Sequence, residues 1–421
     1  MAQDEKIQGS KIAEGLTRRQ LIEMHACARC GECQVWCPVY AQDSRELITA
    51  RGKLGFLRRL IEGTLSGDDR KDFINALYEC SACGQCHVVC PVRINTHDLW
   101  EQARMSLVKS GIPQPEGQIK QLSAIKEFNN PFGKPQSERS RWADMAWKAG
   151  LLKARVPLWK EQRTPVVYFA GCMASFDSGL QPVAVQSARL LQEAGVEFSI
   201  LGEDEPCCMS KLRRMGDSGF MREARKIAEM FDRMDISSIV VSCAGCFKGL
   251  YGDYSTMWPG SKKVLHFSQY LDYLIQEGRL RPQRETRLRV TYHDPCHLGR
   301  HNQVYDQPRR VLQSVPGITL VEMPRHRAFS SCCGMGGGLK AVNPEIQHKM
   351  AAARVREAEA TGAEAIVTPC QTCLQGLLNG KKEAASTMKV FHLNEVLARS
   401  ICPEVTHEVV EAELARRFAG V

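Results

Sequence analysis

Long apolar runs are missing from this sequence. None approaches the ~18 residues that a membrane-spanning helix requires, and the chain opens Met-Ala-Gln-Asp-Glu-Lys with no apolar leader. A soluble, cytoplasmic protein with no transmembrane segment of its own is expected, with peripheral attachment to the inner face of the membrane as the alternative. Basic and aromatic residues do not interleave as they do on a nucleic-acid-binding surface. The net charge of +9 therefore speaks for docking to an acidic redox partner or an anionic membrane face. No Ser-His-Asp arrangement or carboxylate pair stands out, which leaves hydrolysis without candidate residues.

Cysteine is what abounds, with 19 in 421 residues. In a small secreted protein that count would mean disulfides. In a chain long enough for two to three domains, kept in a reducing compartment, the cysteines are expected to be metal ligands. Their spacing supports this. Tyr-His-Asp-Pro-Cys296 is followed after 35 residues by Cys332-Cys333, with Gly334 next, and 36 residues separate Cys333 from Cys370-Gln-Thr-Cys373. The pattern occurs once before, at Cys172, Cys207-Cys208 and Cys243-Ala-Gly-Cys246, with 34 residues in each gap. Adjacent cysteines cannot easily both face one tetrahedral ion, so zinc fits poorly. Five thiolates from three segments suit a multi-iron core.

Nearer the N-terminus, Cys27-x2-Cys30-x2-Cys33-x3-Cys37-Pro38 is matched by Cys80-x2-Cys83-x2-Cys86-x3-Cys90-Pro91. Both resemble the bacterial two-cluster ferredoxin motif. There the fourth cysteine of each run reaches the other cluster. That rule groups Cys27, Cys30, Cys33 and Cys90 on one 4Fe–4S cluster, and Cys80, Cys83, Cys86 and Cys37 on the second. A polar lead-in over 1–26 ends in a helix from Thr17 to His25, capped by Thr17. Between the motifs, Thr49–Glu62 places Leu54, Leu57, Leu60 and Ile61 at helical spacing. Its basic Arg51, Lys53, Arg58 and Arg59 form either a solvated face or a partner-facing one. A further helix runs from about His97 to Ser110 and is closed by Gly111.

Residues 112–163 read as a connector rich in Pro and Trp. From Lys134 to Arg163 it carries eight basic and three acidic residues, and it is expected to pack over the surface. From Thr164 strands and helices alternate. Strands are expected at Val166–Ala170, Val196–Leu201 and Ile239–Ser242, and again at Arg289–His293, Ile318–Met323 and Ala365–Thr368. Helices fall near Pro182–Ala194, Gly219–Met234, Pro308–Ser314 and Pro344–Thr361. Each cysteine group thus follows the carboxyl end of a strand, where open parallel sheets place ligands. Both repeats end alike, with His266 and His392 at a strand end before a helix. These histidines are either helix caps or donors to cluster sulfur. Gly334-Met335-Gly336-Gly337-Gly338 reads as glycines that let backbone amides approach cluster sulfurs. Cys402 is a spare thiol.

Taken together, these motifs resemble the D-type subunit of heterodisulfide reductase, in which a two-cluster ferredoxin-like region is fused to a duplicated cysteine-rich CCG region. The likeness covers about residues 20–400. It implies a multidomain fold: a mostly α-helical two-cluster ferredoxin-like domain over 1–111, the connector over 112–163, and pseudo-symmetric α/β modules over 164–287 and 288–421. It also implies two cubane and two noncubane 4Fe–4S clusters, and no flavin in this chain. The noncubane ligands would be Cys172, Cys207, Cys208, Cys243 and Cys246, and then Cys296, Cys332, Cys333, Cys370 and Cys373. The implied role is an electron-transfer or catalytic subunit that passes electrons between its ferredoxin-type and noncubane clusters and works with flavoprotein, cytochrome b or hydrogenase- or dehydrogenase-type partners; the alternative is a disulfide-reducing enzyme proper, acting on a small thiol–disulfide. Similar architecture occurs in iron–sulfur subunits of glycolate, lactate and glycerol-3-phosphate dehydrogenases, of sulfate reducers' membrane complexes and of aromatic-degradation bifurcating complexes. One departure stands out, Met209 where the second repeat has Gly334. Either the methionine covers the first cluster, leaving substrate chemistry to Cys332 and Cys333, or it fills core space.

Overall fold

A computed structural model describes residues 11–418, so residues 1–10 of the expected lead-in and residues 419–421 lie outside the described residues. Helices carry the N-terminal part. α1 (Arg18–His25) starts where Thr17 and Gln20 close a capping box. α2 (Ala50–Ile61) starts where the Thr49 hydroxyl accepts from the Gly52 amide at 3.1 Å. α3 (Gly67–Tyr78) and α4 (Thr96–Lys109) follow, and Gly111 takes a φ of +85° just after α4 ends. Leu54, Leu57 and Leu60 of α2 meet Phe73 and Leu77 of α3 and Leu99, Ala103 and Leu107 of α4 in one core. Burying each large apolar side chain stabilises the fold by roughly 1.5–3 kcal/mol. Lys53 corrects the expected basic face of α2. It is 1% exposed and turned inward.

Residues 112–163 form more than a surface strap. They contain α5 (Glu116–Phe128) and α6 (Arg141–Lys148), with Trp142 of α6 buried against Tyr168. Among the described residues no helix is long and apolar enough to cross a membrane.

Two four-stranded parallel sheets follow, with the same strand order. The first runs β2-β1-β3-β4, from β1 (Val166–Phe169), β2 (Phe198–Ser199), β3 (Ser238–Val241) and β4 (Val264–His266). The second runs β6-β5-β7-β8, from β5 (Leu288–Tyr292), β6 (Ile318–Val321), β7 (Ala365–Thr368) and β8 (Lys389–His392). Even the register repeats, with Tyr168 opposite Val240 and Tyr292 opposite Val367. The expected strand Val196–Leu201 shrinks to two residues. The Ile200 backbone pairs instead with Pro157 and Trp159 of the preceding segment.

Helices exchanged between the sheets join the repeats. α7 (Gln181–Glu193), α8 (Phe220–Asp232) and α9 (Phe267–Gln276) belong to the first repeat. α10 (Asp306–Gln313), α11 (Pro344–Glu359), α12 (Gln371–Glu383) and α13 (Leu393–Ile401) belong to the second, and α14 (His407–Phe418) closes the chain. α7 packs on α13 and, symmetrically, α10 packs on α9. Asn394 donates to Ser187 at 2.7 Å across the first pair, and Arg310 meets Asp272 at 2.5 Å across the second. The result is two sheets about one continuous core.

Arg104 of α4 locks the helical part to both repeats. Its guanidinium is fully buried. It donates to the carbonyls of Leu77 (2.7 Å), Cys80 (3.0 Å), Arg214 (2.5 Å) and Gly337 (2.9 Å). Only a planar fork of donors can serve four acceptors at once. Arg104→Leu would orphan these carbonyls and should cost roughly 3 kcal/mol or more. Anaerobic melting should register it as a drop of several degrees, and Arg104→Lys should restore little.

Candidate metal centre

The carboxyl ends of the strands deliver the cysteines. Cys172 sits in the turn after β1, Cys243 and Cys246 after β3, Cys296 after β5, and Cys370 and Cys373 at the start of α12 after β7. The adjacent pairs Cys207-Cys208 and Cys332-Cys333 follow the edge strands β2 and β6 through one-turn helices. Gly171 has a φ of +77°, and a Cβ there would stand 3.2 Å from the Cys246 sulfur. The turn needs glycine for both reasons.

Both sheets present these ends to one cavity of about 470 Å³, whose wall includes every cysteine of the two five-cysteine patterns except Cys332. The sulfurs hydrogen-bond among themselves. Cys333 lies 3.3 Å from Cys373, and Cys243 meets Cys370 across the seam between the repeats. Donation from Cys207, and then from Cys246, pulls Cys208 down to about 5. Cys333 is likewise drawn well below the usual thiol range by Cys332 and Cys373. Their partners Cys246 and Cys373 move the other way, standing well above it. Lys211, Lys340 and Arg214 add positive charge to the cavity wall, and no Asp or Glu lines it.

Segment 112–163 supplies residues the sequence pattern does not reveal. Arg139 Nη2 lies 3.5 Å from the Cys172 sulfur, while Nη1 pairs with Glu205 at 2.8 Å. Glu205 also accepts from the Ala170 and Gly171 amides at 3.0 Å each, which fixes the Cys172 turn. Asn129 accepts from the Cys207 amide at 2.9 Å. Gln121 holds Lys211, whose ammonium burial pushes below its ordinary range. Only the fold brings these side chains to the site.

The second repeat touches the helical part. Arg300 donates to the Cys83 carbonyl at 2.8 Å and also contacts Gln85 and Ser330. Cys332 turns out of the shared cavity into an apolar cluster with Cys83, and the two thiols hydrogen-bond. The glycine run brings a backbone amide to sulfur, Gly334 donating to Cys332 at 3.3 Å, and the glycines after it serve a second purpose that the sequence does not show. A Cβ on Gly336 would stand 2.4 Å from the Ser81 carbonyl, and one on Gly337 would stand 2.2 Å from that of Cys80. These glycines let the second repeat close on the backbone beside Cys80 and Cys83.

In the helical part, Cys27, Cys30, Cys33 and Cys90 line one small cavity. Cys37, Cys80 and Cys83 line another, with Cys86 on both walls. Lys53 reaches the second cavity and lowers the Cys37 thiol, although burial dominates and sets that thiol at about 11. Cys402 is buried and lies on none of these three cavity walls, and burial pushes it to about 12.

His266 and His392 cap helices. Each Nδ1 accepts an amide at 3.2 Å, from Ser268 and Asn394. Burial holds both rings neutral, near 3. Met209 does not overhang the cavity. It is 7% exposed, lies in an apolar cluster and is absent from the cavity wall, whereas Met335 is on it. What Met209 shares with Gly334 is a positive φ, +54° against +82°, which costs a residue with a side chain ~1–2 kcal/mol.

Comparison with known proteins agrees with this arrangement. A cysteine-rich domain family, CCG, matches residues 166–251 and 290–377, and a 4Fe–4S dicluster domain family matches residues 23–94. The D subunit of the dihydromethanophenazine:CoB–CoM heterodisulfide reductase of Methanosarcina mazei is 35% identical over 92% of this chain and 96% of its own length. A probable iron-sulfur-binding oxidoreductase of Bacillus subtilis, FadF, is 29% identical over 93% of this chain and 62% of its own. An EtfAB:quinone oxidoreductase of Syntrophomonas wolfei is 29% identical over 93% of this chain and 60% of its own. With thiols grouped at strand ends in two like repeats behind a dicluster region, the chain belongs to the family of heterodisulfide reductase D subunits and is an iron–sulfur oxidoreductase subunit.

Proposed function

We propose that the chain holds four 4Fe–4S clusters and reduces a small disulfide in the cavity between its two repeats. Cys27, Cys30, Cys33 and Cys90 would bind one cubane cluster, and Cys37, Cys80, Cys83 and Cys86 the other. Cys172, Cys207, Cys208, Cys243 and Cys246 would bind one noncubane cluster, and Cys296, Cys332, Cys333, Cys370 and Cys373 the second. The donor set supports this: all-thiol groups of four and five are the chemistry of iron–sulfur binding. When bound, the clusters supply one-electron carriers. The reaction takes two electrons and two protons to cleave one S–S bond into two thiols, and the electrons come from partner redox subunits. The residues of the chain provide the rest. Arg300 and the glycine run hold Cys83 against Cys332, a thiol contact between the helical part and the repeats. Lys211 and Lys340 give the cavity a positive wall.

The shared cavity is the observation that carries this reading, because sites that only relayed electrons would not need to open on one common space. The protein purified without oxygen should carry roughly sixteen irons, the sum of four four-iron clusters. Given a low-potential artificial donor and a disulfide, it should release two thiols per disulfide consumed. Clusters that reduce and reoxidise while no thiol appears would make the chain an electron relay instead.

The pairing in the helical part has its own test. Cys37→Ala should bleach the spectral signal of the cluster held by Cys80, Cys83 and Cys86 and spare the other. Loss at the Cys27–Cys33 cluster would contradict the crossed grouping.

A further inference from the structure

The two cysteine-rich sites differ at a buried position beside the sulfurs. Three residues before the first cysteine of each repeat stands Phe169 in one and His293 in the other. Sixteen residues before the Cys-x-x-Cys pair stand Ile227 and Arg354. Phe169 and Ile227 belong to the apolar cluster that contains Cys172, Cys207 and Cys208. In the second repeat this apolar pair is replaced by a polar one. A ring nitrogen of His293 and the sulfurs of Cys333 and Cys373 lie within 4.8 Å of one another. Arg354 Nε donates to His293 Nδ1 at 3.2 Å.

Arg354 cannot turn away. It is fully buried, and its other nitrogens donate to the Arg325 carbonyl (2.9 Å), Glu357 (2.8 Å) and the Ser330 hydroxyl (3.1 Å). A guanidinium has donors and no acceptor, so His293 Nδ1 must receive with its lone pair. The single proton of a neutral ring is then on Nε2. Burial keeps the ring neutral, near 3. The trio has the spacing of a metal site, but a nitrogen that carries a proton has no lone pair to give an iron. With Nδ1 taken up by Arg354, Nε2 is the ring nitrogen left to serve the nearby sulfurs, and it can do so only as a hydrogen-bond donor.

We infer that His293, oriented by Arg354, is a positioning residue that donates its Nε2–H to the Cys333–Cys373 sulfur pair and raises the reduction potential of the second site. The inference rests on the reading that these thiolates hold a cluster. Reduction adds negative charge at the sulfurs, and a fixed N–H stabilises that charge more than it stabilises the oxidised form. The phenyl ring of Phe169 offers the first site no such donor.

The test uses the full chain with its clusters, as wild type, His293→Phe and His293→Gln. Iron is counted, and each site is titrated anaerobically by its spin signal. His293→Phe, which copies the first repeat, should keep all its iron and leave the first site unmoved. At a fixed ambient potential its second site should show a reduced-to-oxidised ratio about tenfold lower, equivalent to about 59 mV for a one-electron couple. Glutamine, whose amide can donate, should recover part of the shift. Full iron with an unmoved potential in His293→Phe would show that the ring does not donate and would overturn the inference. Loss of iron from the second site in both variants would also overturn it, by making His293 a ligand or a structural support. Wild-type protein without iron at the second repeat would instead strike down the cluster reading itself.

Discussion

One buried cation fixes the geometry on which everything else depends. A guanidinium taken out of water costs several kcal/mol unless its donors are satisfied. Arg104 satisfies them with carbonyls alone, drawn from the end of α3, from the loop that carries Cys80, and from both repeats. Charge-assisted bonds are about twice as strong as neutral ones, and these four are oriented by one rigid plane. The arrangement holds together only if all three bodies are in place. It also explains why Gly336 and Gly337 must lack side chains. Their backbone has to come close enough for the Gly337 carbonyl to share one guanidinium with that of Cys80. The Cys83–Cys332 contact is a consequence of that closure.

Duplication explains the cavity. A single parallel sheet of this size presents its strand ends to solvent, and one set of five cysteines would lie in an open crevice. Because α7 packs on α13 and α9 on α10, the two sets of strand ends are turned toward each other. Gln371 shows how tight the seam is. From the second repeat it reaches the Ser242 hydroxyl at 2.8 Å and the Ala170 carbonyl at 3.3 Å in the first. Each repeat thereby forms the far wall of its neighbour's site.

Much of this was legible from spacing. The cap at Thr17, the strands before each cysteine group and the repeat itself are local patterns, and local patterns survive folding. Side chains whose role depends on distant contacts were not legible. Lys53 reads as part of a basic helix face because helical periodicity says nothing of what lies across a cavity. Arg139, Asn129 and Gln121 sit in a segment with no motif. The closure of Gly336 and Gly337 on the backbone at Ser81 and Cys80 is not legible, because that backbone is some 250 residues away in sequence. The expected difference at Met209 rested on a real departure, but the position selects for backbone conformation and its side chain goes to the core.

The asymmetry between the sites therefore lies in the surrounding shell of side chains. The first site has a guanidinium against Cys172, but Glu205 offsets its charge, and that carboxylate is itself held by two amides. The group is close to neutral and works mainly to fix the Cys172 turn. The second site has Arg354 one step back from the sulfurs, where it sets the tautomer of a ring instead of facing a thiol. A carboxylate-balanced cation and a cation-oriented imidazole are different means of holding negative sulfur in a dry interior. The ten cysteines are a repeated pattern, and the residues around them are not. On the proposed function, two sites with one cysteine pattern differ in potential without any change of ligand, because hydrogen bonds and charge near sulfur are what set it. The difference is aligned with the architecture: the repeat that carries the polar pair is also the one whose Cys332 meets the helical part.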